Sequence, residues 1–85
     1  MELKDTVELM TSSNYTERFV AEYWHTKIRY EKLHQTVIKY DAGTLNFEPS
    51  CPIDLLKHQK YMMGQYLYDL EVRAEIEGVD LNGLD

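Results

Sequence analysis

Eighty-five residues with a formal charge of −6 and 44% apolar content make one small folded domain rather than a disordered chain. The acidity argues against wholesale binding to duplex DNA or to anionic membrane, so neither is expected as a partner. The single cysteine, Cys51, can form no intrachain disulfide, and no apolar run reaches membrane-spanning or signal-peptide length. A reduced, cytoplasmic setting is therefore expected.

Residues 1–13 read as a short lead-in. Leu3, Val7 and Met10 have helical spacing, enough for a turn or two, before Thr11-Ser12-Ser13 interrupts it. From Asn14 to Tyr40 the pattern becomes decisive. Phe19, Tyr23, Thr26, Tyr30, Leu33, Val37 and Tyr40 recur at alternating spacings of four and three, which places them on one stripe of a long helix. Asn14 suits the N-cap, Glu17 sits where a capping box wants a carboxylate, and Gly43 offers a C-cap. About 26 residues at ~1.5 Å each give a rod on the order of 39 Å long.

Residues 41–51 contain Gly43 and Pro49 and show no period, so they form a loop, with Leu45 and Phe47 as apolar anchors folded onto the helix ends. A second long helix is expected over 52–77. Pro52 suits its first position, Ser50 or Cys51 caps it, and Asp54 adds negative charge to the first turn. Leu56, Met63, Leu67, Leu70 and Ala74 make its stripe, with Gly64 marking a close approach by another helix, and Gly78 closes it before an acidic tail to Asp85. The expectation is an all-α, single-domain antiparallel two-helix hairpin spanning 1–85.

Each helix carries a second apolar set, Val20, Trp24, Ile28 and Ile38 on the first and Tyr61, Tyr68, Val72 and Ile76 on the second. A lone hairpin buries one stripe per helix, so these residues would face water in a monomer. Assembly as a homo-oligomeric, coiled-coil-like bundle follows.

Catalytic and metal signatures are weak. Glu22/His25 and Glu31/His34 repeat a Glu-x-x-His spacing, but both copies lie on one helix with no carboxylate set on the other to complete a site. Cys51 at a helix start reads as structural, and no phosphate loop or paired-carboxylate cleft is present. No enzyme activity, cofactor or metal is expected. What remains is a concentration of aromatic and basic residues. From Tyr15 to Tyr40, five basic residues face three glutamates, so this helix alone is expected to attract an anion. Within it Tyr15 and Trp24 are candidates to stack on a base, and Arg18 and Lys27 to neutralise phosphate.

The run Asn14-Tyr15-Thr16-Glu17-Arg18-Phe19 with Ala21-Glu22-Tyr23 and 27–33, together with Leu55-Leu56, Gln59, Met63-Gly64 and 70–78, resembles a crAss-like-phage-related family of small helical proteins. Those proteins are common in phages and prophages of gut bacteria. More distantly, Gln59-x-x-x-Met63-x-x-Tyr66-Leu67 is similar to phage hairpin proteins that oligomerise and sequester cyclic-nucleotide immune signals. Those sponges surround the ligand with an aromatic residue and a lysine or arginine from neighbouring protomers. The resemblance implies a non-enzymatic phage anti-defence protein that takes up a cyclic oligonucleotide or ADP-ribose derivative. The alternative is an acidic inhibitor that binds a host defence protein, as anti-CRISPR proteins do, or a structural or regulatory interaction module.

Overall fold

The computed structural model describes residues 1–82 and contains, among them, three helices and no strand: α1 (Leu3–Met10), α2 (Tyr15–Ala42) and α3 (Ile53–Glu77). The acidic tail expected to reach Asp85 lies in part, at 83–85, outside the described residues. At about 1.5 Å per residue α2 is on the order of 42 Å long, and it sets the longest dimension of the molecule, 43 Å.

Local chemistry explains where each helix begins and ends. The Asn14 side chain accepts the Glu17 amide at 3.2 Å, as an N-cap should. The Glu17 carboxylate does not return to the Asn14 amide as a capping box would. Ser12 comes between them, its hydroxyl accepting from Asn14 N–H at 3.0 Å and donating to Glu17 at 3.0 Å. Helix α2 ends on Gly43 at φ +76°, and the Gly43 and Thr44 amides turn back to the Tyr40 and Lys39 carbonyls. Pro52 is the cap of α3 rather than its first helical residue; its ψ of 139° is extended, and its carbonyl accepts from Leu55.

The lead-in is a full helix with a structural task. Leu3 and Met1 lie beside Ile28 and Lys32, and Thr6 faces His25, so α1 folds back antiparallel along the first half of α2. Thr6 is fully buried, its hydroxyl donating to the Leu3 carbonyl at 2.7 Å. Val20 and Ala21 are likewise fully buried. The second apolar set of the first helix is therefore largely covered by the chain itself. Val20 is buried, Ile28 is half-buried beside α1, and Trp24 is half-buried under the segment after α3, where its indole N–H donates to the Leu81 carbonyl at 2.6 Å. Ile38 stays exposed, as do all four residues of the second set on α3.

The α2–α3 core is gathered at one end. Phe19 and Tyr23 meet Leu67, Leu70 and Ala74, with Trp24, Tyr30, Val79 and Leu81 around them. Toward the loop Val37 is buried, but Leu33, Leu56 and Met63 are only half-buried, and Phe47 lies exposed beside α2 instead of anchoring the helix ends. The reason is cover. The tail reinforces the far end, whereas the loop end has two helices and a short connection. There Lys57 and Asp41, 3.0 Å apart, hold the arms together.

Candidate functional site

The four residues singled out for ligand binding divide between two sides of α2. Tyr15 and Trp24 are nine residues apart, two and a half turns, which places them on opposite faces. Arg18 goes with Tyr15, and Lys27 with Trp24.

Each is engaged within the chain. The Tyr15 hydroxyl donates to Glu77 at 2.7 Å and accepts from Arg73 at 2.9 Å, and Arg73 Nε also donates to Glu77 at 3.2 Å. This triangle ties the start of α2 to the end of α3. The hydrogen bond with Glu77 raises the Tyr15 pKa and lowers that of Glu77. Arg73 also lies over the Phe19 ring at 4.8 Å. Arg18 donates to the Ser12 carbonyl at 2.7 Å, and Lys27 lies 5.9 Å from the Tyr23 ring centre and 3.9 Å from Glu31. A single chain does not bring the four together around one ligand.

The Glu-x-x-His pairs are separated too. Glu22 accepts the Tyr66 hydroxyl, His25 meets Thr6 at 3.4 Å, and His34 stacks parallel on Tyr30 with ring centres 6.1 Å apart. Among the described residues no group of three or more His, Cys, Asp or Glu side chains is placed to hold a metal ion.

At the loop end the two long helices leave a cleft of about 540 Å³, lined by Tyr30, Val37 and Asp41 of α2 and by Lys57, Lys60, Tyr61, Gly64 and Gln65 of α3. Gly64 makes room for it. A methyl group there would sit 3.4 Å from the Tyr30 ring, so the close approach is by an aromatic side chain rather than by a neighbouring backbone. Behind Tyr30, the His34 Nδ1 is buried and takes no hydrogen-bond partner among the described residues. Two tyrosine rings, two lysines and an amide offer flat apolar surface, positive charge and hydrogen bonds in one recess. Lys57 is partly committed, since its hydrogen bond to Asp41 raises its pKa.

This cleft escaped the reading of the chain as a sequence, which placed all anion-attracting chemistry on the first helix. Its two lysines belong to a helix of acidic balance, and its rings come from residues 31 positions apart. The signal that marks it is Lys57-x-x-Lys60-Tyr61-x-x-Gly64, where cations and an aromatic ring lead up to a missing side chain. A second groove of about 470 Å³ runs beside α2, lined by Ile28, Lys32, Lys39, Leu45 and Phe47 among others, and is the more apolar of the two.

No helix among the described residues is long and apolar enough to cross a membrane. No curated protein and no solved structure matches the chain significantly. A family model does match, that of Sequestin, over residues 13–76. The match takes in α2, the loop and nearly all of α3, and so both walls of the cleft. On that span, roughly three quarters of its length, the chain belongs to the Sequestin family.

Proposed function

We propose that this protein is a non-enzymatic phage anti-defence factor that acts in the bacterial cytoplasm as a homo-oligomer. It binds and withdraws a nucleotide immune signal, a cyclic oligonucleotide or an ADP-ribose derivative. The observation that carries the proposal is the family match across both long helices, since the family's name denotes sequestration of a ligand. The chemistry of the cleft at the loop end supports it. Tyr30 and Tyr61 offer faces for a base, and Lys57 and Lys60 offer charge for phosphates. Sequestration needs tight, stoichiometric capture and no bond-breaking, so a recess of rings and cations suffices.

The aromatic and basic residues of the first half of α2 make a second surface in this proposal. Tyr15 with Arg18, or Trp24 with Lys27, would meet a ligand only together with residues of a neighbouring protomer. Calorimetry of the purified protein against cyclic di- and trinucleotides and ADP-ribose isomers tests the reading. Binding tighter than about 10 μM, roughly −7 kcal/mol, is expected for at least one of them. If none binds, the nucleotide reading falls. Lys60→Ala weakening a positive result tenfold or more, with Arg18→Ala and Lys27→Ala leaving it unchanged, would place the ligand in the cleft. The opposite pattern would move it to α2.

A further inference from the structure

We infer that two copies of this chain pair through the outer face of α3, with the two α3 helices antiparallel, and that the second copy borders the cleft. The inference rests on the self-association in the functional proposal and specifies its interface.

Tyr61, Gln65, Tyr68, Val72 and Ile76 follow one another at spacings of four, three, four and four, a continuous stripe along α3. It lies away from the core face made by Leu67, Leu70 and Ala74. Its apolar members are open to solvent, Tyr61 at 63%, Tyr68 at 62% and Ile76 at 79% exposure. The described residues include eight buried apolar side chains against thirteen large apolar ones left exposed, so the fold leaves much of its apolar surface unburied. On α2 the second apolar set is largely covered by α1 and by Val79–Leu81, while on α3 no element among the described residues covers it.

Charge selects the occupant and its direction. The first half of α3, Ile53 to Gln65, carries Lys57 and Lys60 against Asp54, a balance of +1 before His58 is counted. The second half, Tyr66 to Glu77, carries Asp69, Glu71, Glu75 and Glu77 against Arg73, a balance of −3. A second α3 laid antiparallel sets each basic half beside the partner's acidic half, whereas a parallel copy sets four carboxylates beside four. The two-fold axis then falls near Tyr68, and the stripe meets itself, as closed symmetry requires. Tyr61 belongs both to the stripe and to the cleft wall, which also contains Gln65. The second half of the partner's α3 therefore lies at the rim of each cleft, and a dimer carries two of them.

The test uses the full chain without ligand. Light scattering should return twice the chain mass of 10.1 kDa, and Tyr68→Glu should raise the dissociation constant at least tenfold while keeping the helical circular-dichroism signal. Lys60→Glu and Glu75→Lys proteins should each self-associate at least tenfold more weakly and regain it when mixed with each other, since that register brings 60 close to 75. For direction, Tyr61→Cys and Ile76→Cys proteins in a Cys51→Ser background should form a disulfide with each other and not with themselves, because only antiparallel pairing brings 61 next to 76. A 10 kDa species at 100 μM, a dimer indifferent to Tyr68→Glu, or a 61–61 disulfide overturns the inference. Nucleotide binding is read separately by calorimetry. A monomer that binds overturns only the interface, and a dimer that binds nothing overturns only the ligand.

Discussion

Gly64 is where the balance of forces around the cleft can be read most directly. An added methyl would stand 3.4 Å from Tyr30 Cε2, 3.6 Å from its hydroxyl oxygen and 3.7 Å from Cζ. These are ordinary van der Waals separations, so Gly64→Ala fits with little movement of the ring. Alanine is favoured over glycine within a helix by ~1 kcal/mol, a gain that comes largely from the unfolded chain. The expected net effect is a stabilisation of about 0.5–1 kcal/mol, read as a higher urea midpoint with unchanged slope. Gly64→Leu is different, because three further carbons have no place to go but onto the Tyr30 ring or into the cleft. Overpacking of this kind costs about 1–3 kcal/mol in a closed core, and less where one side is open. That variant should stay helical and lose ligand affinity at least tenfold, while Gly64→Ala keeps most of it. The reasoning fails if Gly64→Ala is destabilised by more than about 1 kcal/mol. It fails equally if Gly64→Leu binds as the parent does.

Three further outcomes test the other contacts. Tyr23→Phe removes the hydroxyl that donates to Glu71 at 2.7 Å but keeps a ring only 5% exposed, so a loss of about 1 kcal/mol is expected, well below the ~3–5 kcal/mol of Tyr23→Ala; equal losses would refute a separate role for the hydroxyl. Truncation after Gly78 removes the carbonyl that accepts from Trp24 and the cover over its ring. Tryptophan emission should shift to the red, and an unmoved spectrum would show that the tail is dispensable. Glu77 has a folded-state pKa below the ordinary 4.5, chiefly through the Tyr15 hydrogen bond. Its contribution to stability is therefore complete above that value and is lost as pH falls through the lower folded one. The acid limb of a stability–pH curve should flatten in Glu77→Gln, and superimposable curves would exclude the linkage.

Much of the fold was legible because the long helices announce themselves. The four-and-three spacing from Phe19 to Tyr40, Asn14 at one end and Gly43 at the other fix α2 by rules that depend only on near neighbours. The same holds for Gly78, whose φ of +72° is the left-handed cap that glycine adopts most easily. What could not be read was tertiary. Only Leu3, Val7 and Met10 keep a helical spacing in the first thirteen residues, too weak a period for α1 to stand out, and its burial of Val20 and Ala21 depends on a reversal at Thr11–Asn14 that brings Thr6 to His25. Trp24 read as solvent-facing because nothing in its neighbourhood reveals that Leu81 returns to it. For the candidate site the difficulty was sharper. Clustering along one helix drew attention to Tyr15, Arg18, Trp24 and Lys27, but proximity in sequence on a helix spreads side chains around the axis. The cleft instead joins Tyr30 to Tyr61 across the hairpin, and only the folded chain shows that pairing.

The gathering of the core at one end gives the molecule the mechanics of a pair of tweezers. Phe19, Tyr23, Leu67, Leu70 and Ala74 form the pivot, and the two arms run from it toward the loop. Opening the tips exposes one buried side chain, Val37, and otherwise side chains already half in water, such as Leu33, Leu56 and Met63, so it requires less free energy than separating the pivot. Amide protons of α3 between Leu55 and Met63 should accordingly exchange sooner than those between Leu67 and Ala74. A ligand held between the tips would draw its affinity partly from contacts and lose part of it to stiffening them. Bound protein should then differ from free protein less in shape than in how long its tips stay shut.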